Sequence, residues 1–407
     1  MTNEVKNVPE LRFPEFSEEW EEKILDEVST FSKGKGISKN DLSKDGTSCI
    51  LYGELYTTYD FIINKIKSKT LLDTKNLVKG KKNQVLIPSS GETPLDIATA
   101  AVINTTEDML LGGDINVLTP VQKYDGKFIS LSINGKNKSN LSKYAQGKSV
   151  VHLYNNDIKK LKIKFPVKNS EQRKIGDFFS KLDRQIELEE QKLAKLEEQK
   201  KGYMQKIFSQ ELRFKDKNGN EYPEWEVIKL KDILSERKEY ASKIGNYPHA
   251  TLSTSGISLK SDRYNRDFLV KDKNKKYKVT IMNDICYNPA NLKFGVITRN
   301  HIGSVIFSPI YITFEVNNAH SSLFIELLVT RNDFINRVRK YEEGTVYERM
   351  AVKPEDFLNY ETKIPCLEEQ EKIGDFFSKL DEVINKQSQK IDELKLRKQG
   401  FLQKMFV

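Results

Sequence analysis

Two parts of the chain combine basic and aromatic side chains with a short polar loop. The two loops are residues 89–92 and residues 288–291. Lysine and arginine hold DNA phosphates, whereas serine, asparagine, glutamate and arginine can read base edges. This combination predicts two surfaces that bind double-stranded DNA. The candidate DNA-binding residues are Lys33, Lys35, Tyr52, Lys81, Ser89, Ser90, Glu92 and Lys148 in the first part, and Arg263, Arg266, Asn288, Asn291, Lys293, Arg299, Tyr347 and Arg349 in the second.

The motifs that resemble catalytic sites are all incomplete. Residues 147–149 read Gly-Lys-Ser, but a phosphate-binding loop needs a glycine at position 142, which is a serine. Residues 287–290 lack the second proline and the aromatic residue of the Asn-Pro-Pro-aromatic motif of amino-methyltransferases. The acidic residues at 355–361 are too closely spaced for a nuclease metal site, and the four histidines show no ligand spacing. We therefore expect no catalytic residue, no metal site and no cofactor bound by this chain.

Composition and charge fit a nucleic-acid partner inside the cell. The 407 residues carry a net charge of +9, and a basic excess favours a polyanionic partner. Three cysteines without CxxC spacing are typical of a reducing compartment. The N-terminus has no apolar signal segment, and no run approaches 18 apolar residues. The sequence therefore predicts a cytoplasmic protein.

An internal repeat organises the chain. Residues 171–208 recur at residues 369–406 with a constant offset (369 − 171 = 198), and about 21 of the 38 positions are identical. Such a repeat predicts two similar halves. Each copy also shows the alternating 3- and 4-residue apolar spacing of a coiled-coil helix. The predicted helix-pairing residues are Leu182, Ile186, Glu189, Leu193, Leu196 and Lys200 in the first copy, and Leu380, Ile384, Gln387, Ile391, Leu394 and Lys398 in the second.

The polar seam positions favour an antiparallel pair. A parallel pair in register would place Lys200 against Lys398, and two like charges in a partly buried layer are unfavourable. An antiparallel pair with Leu182 opposite Met405 places Glu189 opposite Lys398 and Lys200 opposite Gln387. We therefore predict that the two copies pack antiparallel in this register.

The segments outside the repeat predict two globules of mixed helix and strand. Each half starts with Glu-Leu-Arg-Phe followed by a tryptophan, and each globule ends with a Gly-led loop and a proline. Predicted strands lie at residues 84–88, 100–103, 114–118, 284–287, 294–297 and 304–307, with a helix at 322–339. The expected fold is α+β: two α/β globules separated by two long antiparallel coiled-coil helices, with a pseudo-two-fold internal repeat. The predicted boundaries are 1–165, 166–210, 211–364 and 365–407.

This duplicated layout resembles the specificity subunit of a Type I restriction–modification system. The resemblance covers the whole chain and rests on a proline followed by Glu-Gln-x-x-Ile at 166–175 and 365–373, on Leu-Asp at 182–183 and 380–381, and on Trp20 and Trp225. It implies that residues 1–165 and 211–364 are target recognition domains, each reading one half of a bipartite, asymmetric DNA site. The helical segments are then a spacer and a docking surface.

The resemblance also implies partners. It implies two methyltransferase subunits docked on the helices, restriction and translocase subunits joined through them, and S-adenosylmethionine bound by the methyltransferase. The expected location is then a bacterial or archaeal cytoplasm. Two other readings stay open from the residues alone: a coiled-coil scaffold without a DNA role, and a modification enzyme with its own active site.

Overall fold

The computed structural model describes residues 7–242, 247–260, 276–342 and 351–407. These residues form two compact units, here called unit 1 (residues 1–194 and 387–407) and unit 2 (residues 195–386). The unit boundaries fall inside two long helices, so each helix contributes one part to each unit.

The first half of the chain ends in a 40-residue helix. Its strands are β1 (Glu21–Ile24), β2 (Ser29–Lys33), β3 (Leu42–Ser43), β4 (Thr47–Ile50), β5 (Ile62–Ile63), β6 (Ser68–Thr70), β7 (Val78–Lys79), β8 (Val85–Pro88), β9 (Ser90–Gly91), β10 (Ala101–Ile103), β11 (Met109–Leu111), β12 (Ile115–Pro120), β13 (Val151–His152) and β14 (Lys162–Phe165). Its helices are α1 (Leu25–Val28), α2 (Glu54–Thr57), α3 (Pro94–Ile97), α4 (Gly126–Asn134), α5 (Lys138–Ser142), α6 (Asn155–Ile158) and α7 (Asn169–Phe208).

The second half ends in a 38-residue helix. Its described strands are β15 (Glu226–Lys229), β16 (Leu234–Glu236), β17 (Tyr240–Ser242), β18 (Ala250–Ser253), β19 (Gly256–Leu259), β20 (Lys276–Thr280), β21 (Ile285–Tyr287), β22 (Ile297–Arg299), β23 (Val305–Phe307), β24 (Ile312–Val316) and β25 (Glu361–Ile364). Its described α-helices are α8 (Ser322–Thr330), α9 (Asn332–Val338), α10 (Pro354–Asn359) and α11 (Leu367–Lys404).

The main sheets of the two units share one strand order although their sequences differ. Unit 1 has the order β2-β12-β8-β10-β5, and unit 2 has the order β16-β24-β21-β22. In both, the strands from the first to the fourth pair antiparallel. Unit 1 adds a second five-stranded sheet, β3-β6-β4-β11-β7, whereas unit 2 adds the three-stranded sheet β17-β20-β23. The predicted mixed fold class is confirmed.

Most predicted strands are confirmed, and two predicted elements need correction. The strand predicted at 294–297 begins at Ile297, because Pro289–Phe294 form a 3-10 helix. The helix predicted at 322–339 is divided into α8 and α9 at Arg331, whose backbone is extended (φ −67°, ψ 138°). The guanidinium of Arg331 lies 3.9 Å from the ring centre of Phe208 at this break.

The repeated motifs outside the helical seam form the same contact in each unit. Arg12 binds the buried Glu171 through two hydrogen bonds of 2.7 and 2.8 Å. In unit 2, Arg213 binds Glu369 at 3.2 and 2.6 Å. The Glu-Leu-Arg-Phe start of each half is thus joined to the Glu-Gln start of its long helix, and two-point arginine–carboxylate pairs of this kind fix orientation.

The two long helices pack antiparallel within each unit. In unit 1, Leu182 and Ile186 pack against Leu394, and the ring of Phe178 lies 5.0 Å from that of Phe401. In unit 2, the ring of Tyr203 lies 5.2 Å from that of Phe376, and Lys200 binds Asp381. Rising residue numbers on α7 meet falling numbers on α11, so the predicted orientation is confirmed. All of the predicted helix-pairing residues are buried or half-buried.

The predicted register is wrong by about one heptad. Glu189 accepts a hydrogen bond from Gln387 at 2.7 Å and pairs with Lys390, not with Lys398. Lys398 binds Asp183 at 2.6 Å, and Lys200 binds Asp381 rather than Gln387. The numbers of these contacting residues therefore sum to between 576 (189 + 387) and 581 (183 + 398) instead of the predicted 587 (189 + 398). A slip of one heptad keeps the apolar seam matched, and the observed register also gives each seam lysine an aspartate.

Candidate nucleic-acid interface

Two loops that the sequence singles out lie side by side in unit 1. Strand β9 pairs with β13, with His152 opposite Ser90 and Val151 opposite Gly91. The backbone N–H of Leu153 also donates to the carbonyl of Ser89 at 3.1 Å. The polar loop at 89–92 and the Gly-led loop at 147–152 therefore form one surface, here called surface 1.

Gly147 has a structural reason to be glycine in this surface. Its φ is +123°, and a Cβ built on it would lie 2.1 Å from the carbonyl oxygen of Val150. A side chain at this position would clash with the backbone of its own turn. The Gly-Lys-Ser sequence is thus explained by a tight turn, and the exposed Lys148 lies at its tip.

The predicted residues of surface 1 divide into buried and exposed groups. Ser89 and Ser90 are 5% and 8% exposed, so they hold the loop in place. Glu92 and Lys148 are exposed and can contact a ligand. Tyr52 is half-buried next to Tyr56; burial raises the pKa of Tyr56, and the neighbouring Tyr52 and Glu92 raise it further.

Lys33 and Lys35 lie at the same end of the main sheet as surface 1. The Nζ of Lys33 lies 5.7 Å from the ring centre of Tyr154, an exposed residue just after β13. The N–H of Gly34 donates to the carbonyl of Ile115, where β12 begins beside Pro88. Lys81 differs, because it precedes β8 and lies at the opposite end of that strand from Ser89. The structure thus brings Lys33 and Lys35 to surface 1 but not Lys81.

In unit 2 the corresponding polar segment follows β21 and contacts Val352. The side chain of Asn288 accepts the N–H of Ala290 at 3.1 Å and caps the 3-10 helix at Pro289–Phe294. The N–H of Val352, which follows the second Gly-led loop, donates to Pro289, and the hydroxyl of Tyr287 donates to Val352 at 3.1 Å. Residues 288–294 and Val352 are here called surface 2. Arg263, Arg266, Tyr347 and Arg349 lie outside the described residues.

Arg299 is engaged inside unit 2. It is 9% exposed, and its guanidinium donates to Glu326 at 3.0 Å and to Asn283 at 2.5 Å. These contacts give Arg299 a structural role. Lys293 is exposed, with its Nζ 5.0 Å from the ring centre of Phe294, and Asn291 is half-buried.

The connection after the central strand is built alike in both units. In unit 1 the side chain of Thr93 caps α3, which begins at Pro94. In unit 2 Asn288 caps the 3-10 helix that begins at Pro289. A capped helical turn started by proline is locally favourable and holds the neighbouring residues in place.

Three exposed residues of surfaces 1 and 2 were not selected from the sequence, namely Leu95, Tyr154 and Phe294. Each is an apolar or aromatic residue within a few positions of a predicted loop or cation, and this pattern could have identified them.

The described residues contain no cluster of histidine, cysteine, aspartate and glutamate side chains that could hold a metal ion. Among the same residues, no helix is both long and apolar enough to cross a membrane. Surfaces 1 and 2 carry hydrogen-bonding groups and cations at one end of a sheet.

Comparison with known proteins gives one family. The model of the Type I restriction modification DNA specificity domain matches residues 17–198 and 222–396. The type I restriction enzyme specificity subunit MjaX of Methanocaldococcus jannaschii is 27% identical over 220 residues. That alignment covers 49% of this chain, and the chain spans about half the length (49%) of that relative.

Two solved structures share the fold over nearly the whole chain. The S subunit of a Type I restriction–modification system from M. genitalium has a TM-score of 0.60 at 16% identity, covering 98% of this chain and 99% of its own. A chain from a structure on complex assembly and conformational transition of the type I R-M system has a TM-score of 0.55 at 13% identity, covering 96% and 98%. With the duplicated domain match, the shared fold and the two loop-built surfaces, the chain belongs to the Type I restriction modification DNA specificity family.

Proposed function

We propose that this chain is the non-catalytic DNA-recognition subunit of a Type I restriction–modification complex, with each unit reading one half of a bipartite site. The observation that carries the proposal is the pairing of two polar loops at one end of the main sheet in unit 1, together with the contact between the segment at 288–291 and Val352 in unit 2. Rigid loops beside exposed cations can combine phosphate binding with the reading of base edges.

The two half-sites differ in this proposal. Surface 1 presents the exposed Glu92, whereas surface 2 presents the half-buried Asn291. Glutamate accepts from cytosine, and asparagine pairs with adenine through two hydrogen bonds. Different groups on the same scaffold select different bases, so the whole site is asymmetric.

The helices serve as spacer and docking surface in this proposal. Two methyltransferase subunits bind them, restriction and translocase subunits join through these, and S-adenosylmethionine is bound by the methyltransferase. Support comes from the family match and from the incomplete methyltransferase motif at 287–290. The expected setting is the cytoplasm, in line with the reduced cysteines that the sequence predicts.

Methylation sequencing of a host expressing this chain with its methyltransferase tests the proposal. The variant Glu92→Gln with Lys148→Ala changes or relaxes the first half-site only, and Asn291→Ala affects the second half-site only. One lost base contact weakens discrimination by roughly 10- to 100-fold. Lys81→Ala is the matched control, because Lys81 lies at the other end of β8.

Three outcomes would contradict the proposal. One is an unchanged half-site in both surface variants, and another is a change of both half-sites by either variant. The third is methyl transfer by the purified chain alone with DNA and methyl donor, which would make it an enzyme. The absence of salt-dependent DNA binding by the complex would favour a scaffold without a DNA role.

A further inference from the structure

A basic cleft lies in unit 1 beside the start of α7, away from surface 1. Its volume is about 740 Å³, and its charged lining consists of Lys123, Arg173, Lys174, Asp177 and Lys181. Phe13 and Phe178 also line it, with ring centroids 6.0 Å apart. The cleft therefore combines an aromatic wall with several positive charges.

Three of these cations have no acidic partner among the residues that the structure describes. Lys174 pairs with Glu15, and Asp177 is bound by Lys127 at 3.0 Å. Lys123, Arg173 and Lys181 make no ion pair with any described residue, and all three are exposed. The cleft thus carries uncompensated positive charge, which attracts an anionic partner.

The walls of the cleft are held in place. The side chain of Asn169 donates to the carbonyl of Lys123, which joins the start of α7 to the loop after β12. Gly176 brings α7 against α4, since a Cβ there would lie 2.9 Å from the Cβ of Lys127. A rigid cleft binds a ligand with less loss of conformational entropy than a mobile one.

The internal repeat departs from itself at this cleft. Residues 171–183 and 369–381 are identical except at one position, where Arg173 is replaced by Glu371. One turn earlier, Ser170 corresponds to Glu368. Ser170 and Arg173 take no part in the contacts that Glu171 and Gly176 make with their neighbours. Both residues are exposed, so the change of charge affects the surface of the protein.

The position of the cleft argues against DNA as its occupant. Lys123 follows the end of β12, whereas surface 1 lies at the start of β12, where Asp114 accepts the N–H of Ser89. Six residues of strand separate these ends by roughly 20 Å. DNA read by surface 1 would therefore lie at the far end of the sheet. The aromatic wall also suits a peptide better than a phosphodiester backbone.

We propose that this cleft binds an acidic segment of a methyltransferase subunit, so that the two methyltransferase subunits bind with unequal affinity. The inference rests on the proposed function and names the chemistry of one docking site. The first helical copy attracts the acidic segment through Arg173 and Lys181, together with Lys123 from the loop after β12. The second copy keeps a lysine at the position of Lys181 but carries Glu371 in place of Arg173 and Glu368 in place of Ser170, and these two carboxylates repel the same segment.

Titration of the full-length chain with its purified methyltransferase, followed by native mass spectrometry, tests the inference. The wild-type chain binds the first subunit about tenfold or more tightly than the second at low salt, and the difference shrinks as salt rises. Arg173→Glu lowers the affinity for the first subunit towards that for the second. Glu371→Arg raises the affinity for the second subunit towards that for the first.

Matched variants and a second readout separate the possible failures. Lys181→Glu weakens the tight site, whereas Lys379→Glu, its counterpart on α11, leaves the tight site unchanged. Equal affinities in the wild-type chain, or no effect of Arg173→Glu and Glu371→Arg, would overturn the unequal docking. If Arg173→Glu instead weakens DNA binding by the chain alone, the cleft belongs to DNA and the inference is wrong. Absence of any methyltransferase binding would contradict the proposed function itself.

Discussion

Lys398 Nζ lies 2.6 Å from Asp183 Oδ1 in unit 1, and Lys200 Nζ lies 2.5 Å from Asp381 Oδ1 in unit 2. The two pairs occupy equivalent repeat positions, because 200 + 198 = 398 and 183 + 198 = 381. Their surroundings differ. The Lys398 side chain is 7% exposed, also contacts Asp60 and lies 4.9 Å from the ring centre of Phe61, whereas Lys200 is 32% exposed.

Replacing the two lysines should have unequal effects on stability. Lys398→Met leaves Asp60 and Asp183 facing each other without a cation, so it should lower the free energy of unfolding by about 3–5 kcal/mol. Lys200→Met removes a partly exposed pair and should lower it by no more than about 1 kcal/mol. Urea unfolding of both variants measures the difference. Equal losses would mean that Asp60 and burial add nothing to the Lys398 pair.

Asp183 should make unit 1 sensitive to pH in an unusual direction. Burial raises the pKa of Asp183 to about 6, and the nearby Asp60 adds to the shift. A carboxyl whose pKa is raised by folding stabilises the folded state below its unfolded pKa, and this contribution is lost as pH rises through about 6. The difference in unfolding free energy between the wild-type chain and Asp183→Asn should therefore shift against the wild type from pH 4 to pH 7. Urea unfolding across this range checks it, and a flat difference would contradict it.

The orientation of the helix pair was predictable from sequence, but its register was not. Like charges at Lys200 and Lys398 disfavour the in-register parallel pair. An apolar seam that repeats every seven residues is satisfied equally well after a slip of one heptad. Asp183 and Asp381 lie outside the predicted seam, and Asp60 comes from a distant loop. Contacts of this kind decide the register, and they become visible only in the folded chain.

A double-mutant cycle distinguishes the observed register from the predicted one. Glu189 binds Lys390 and Gln387, and the hydrogen bond with Lys390 lowers the pKa of Glu189. Charge reversal at both Glu189 and Lys390 should restore stability lost by either reversal alone. The same cycle between Glu189 and Lys398 should show no coupling. Favourable coupling of Glu189 with Lys398 would instead support the register with facing numbers summing to 587.

The loops of the candidate interface could be identified from the sequence, whereas the burial and the partners of their individual residues could not. Residue types at 89–92 and 147–152 marked two segments, and the fold pairs them as β9 and β13. The burial of Ser89 and Ser90 could not be inferred, because it depends on the carbonyl of Asp114 and on the N–H of Leu153. For Arg299 the obstacle was distance along the chain: its partner Glu326 lies on α8, 27 residues further on. The sequence does not show whether a basic residue has an acidic partner in the folded chain.

The repeated glycines of the two helical copies should differ in their tolerance of alanine. A Cβ at Gly176 or Gly374 would lie 2.9 Å from the Cβ of Lys127 or Leu323, respectively. Alanine there forces the helices apart, and the cost of overpacking, roughly 1–3 kcal/mol, exceeds the helix-propensity gain of about 1 kcal/mol. Gly202 lies inside α7 with no atom within 4 Å of an added Cβ, so Gly202→Ala should stabilise the protein by up to about 1 kcal/mol. Thermal and urea unfolding of the three variants gives the comparison. A gain in stability for Gly176→Ala would show that α4 and α7 are not in close contact.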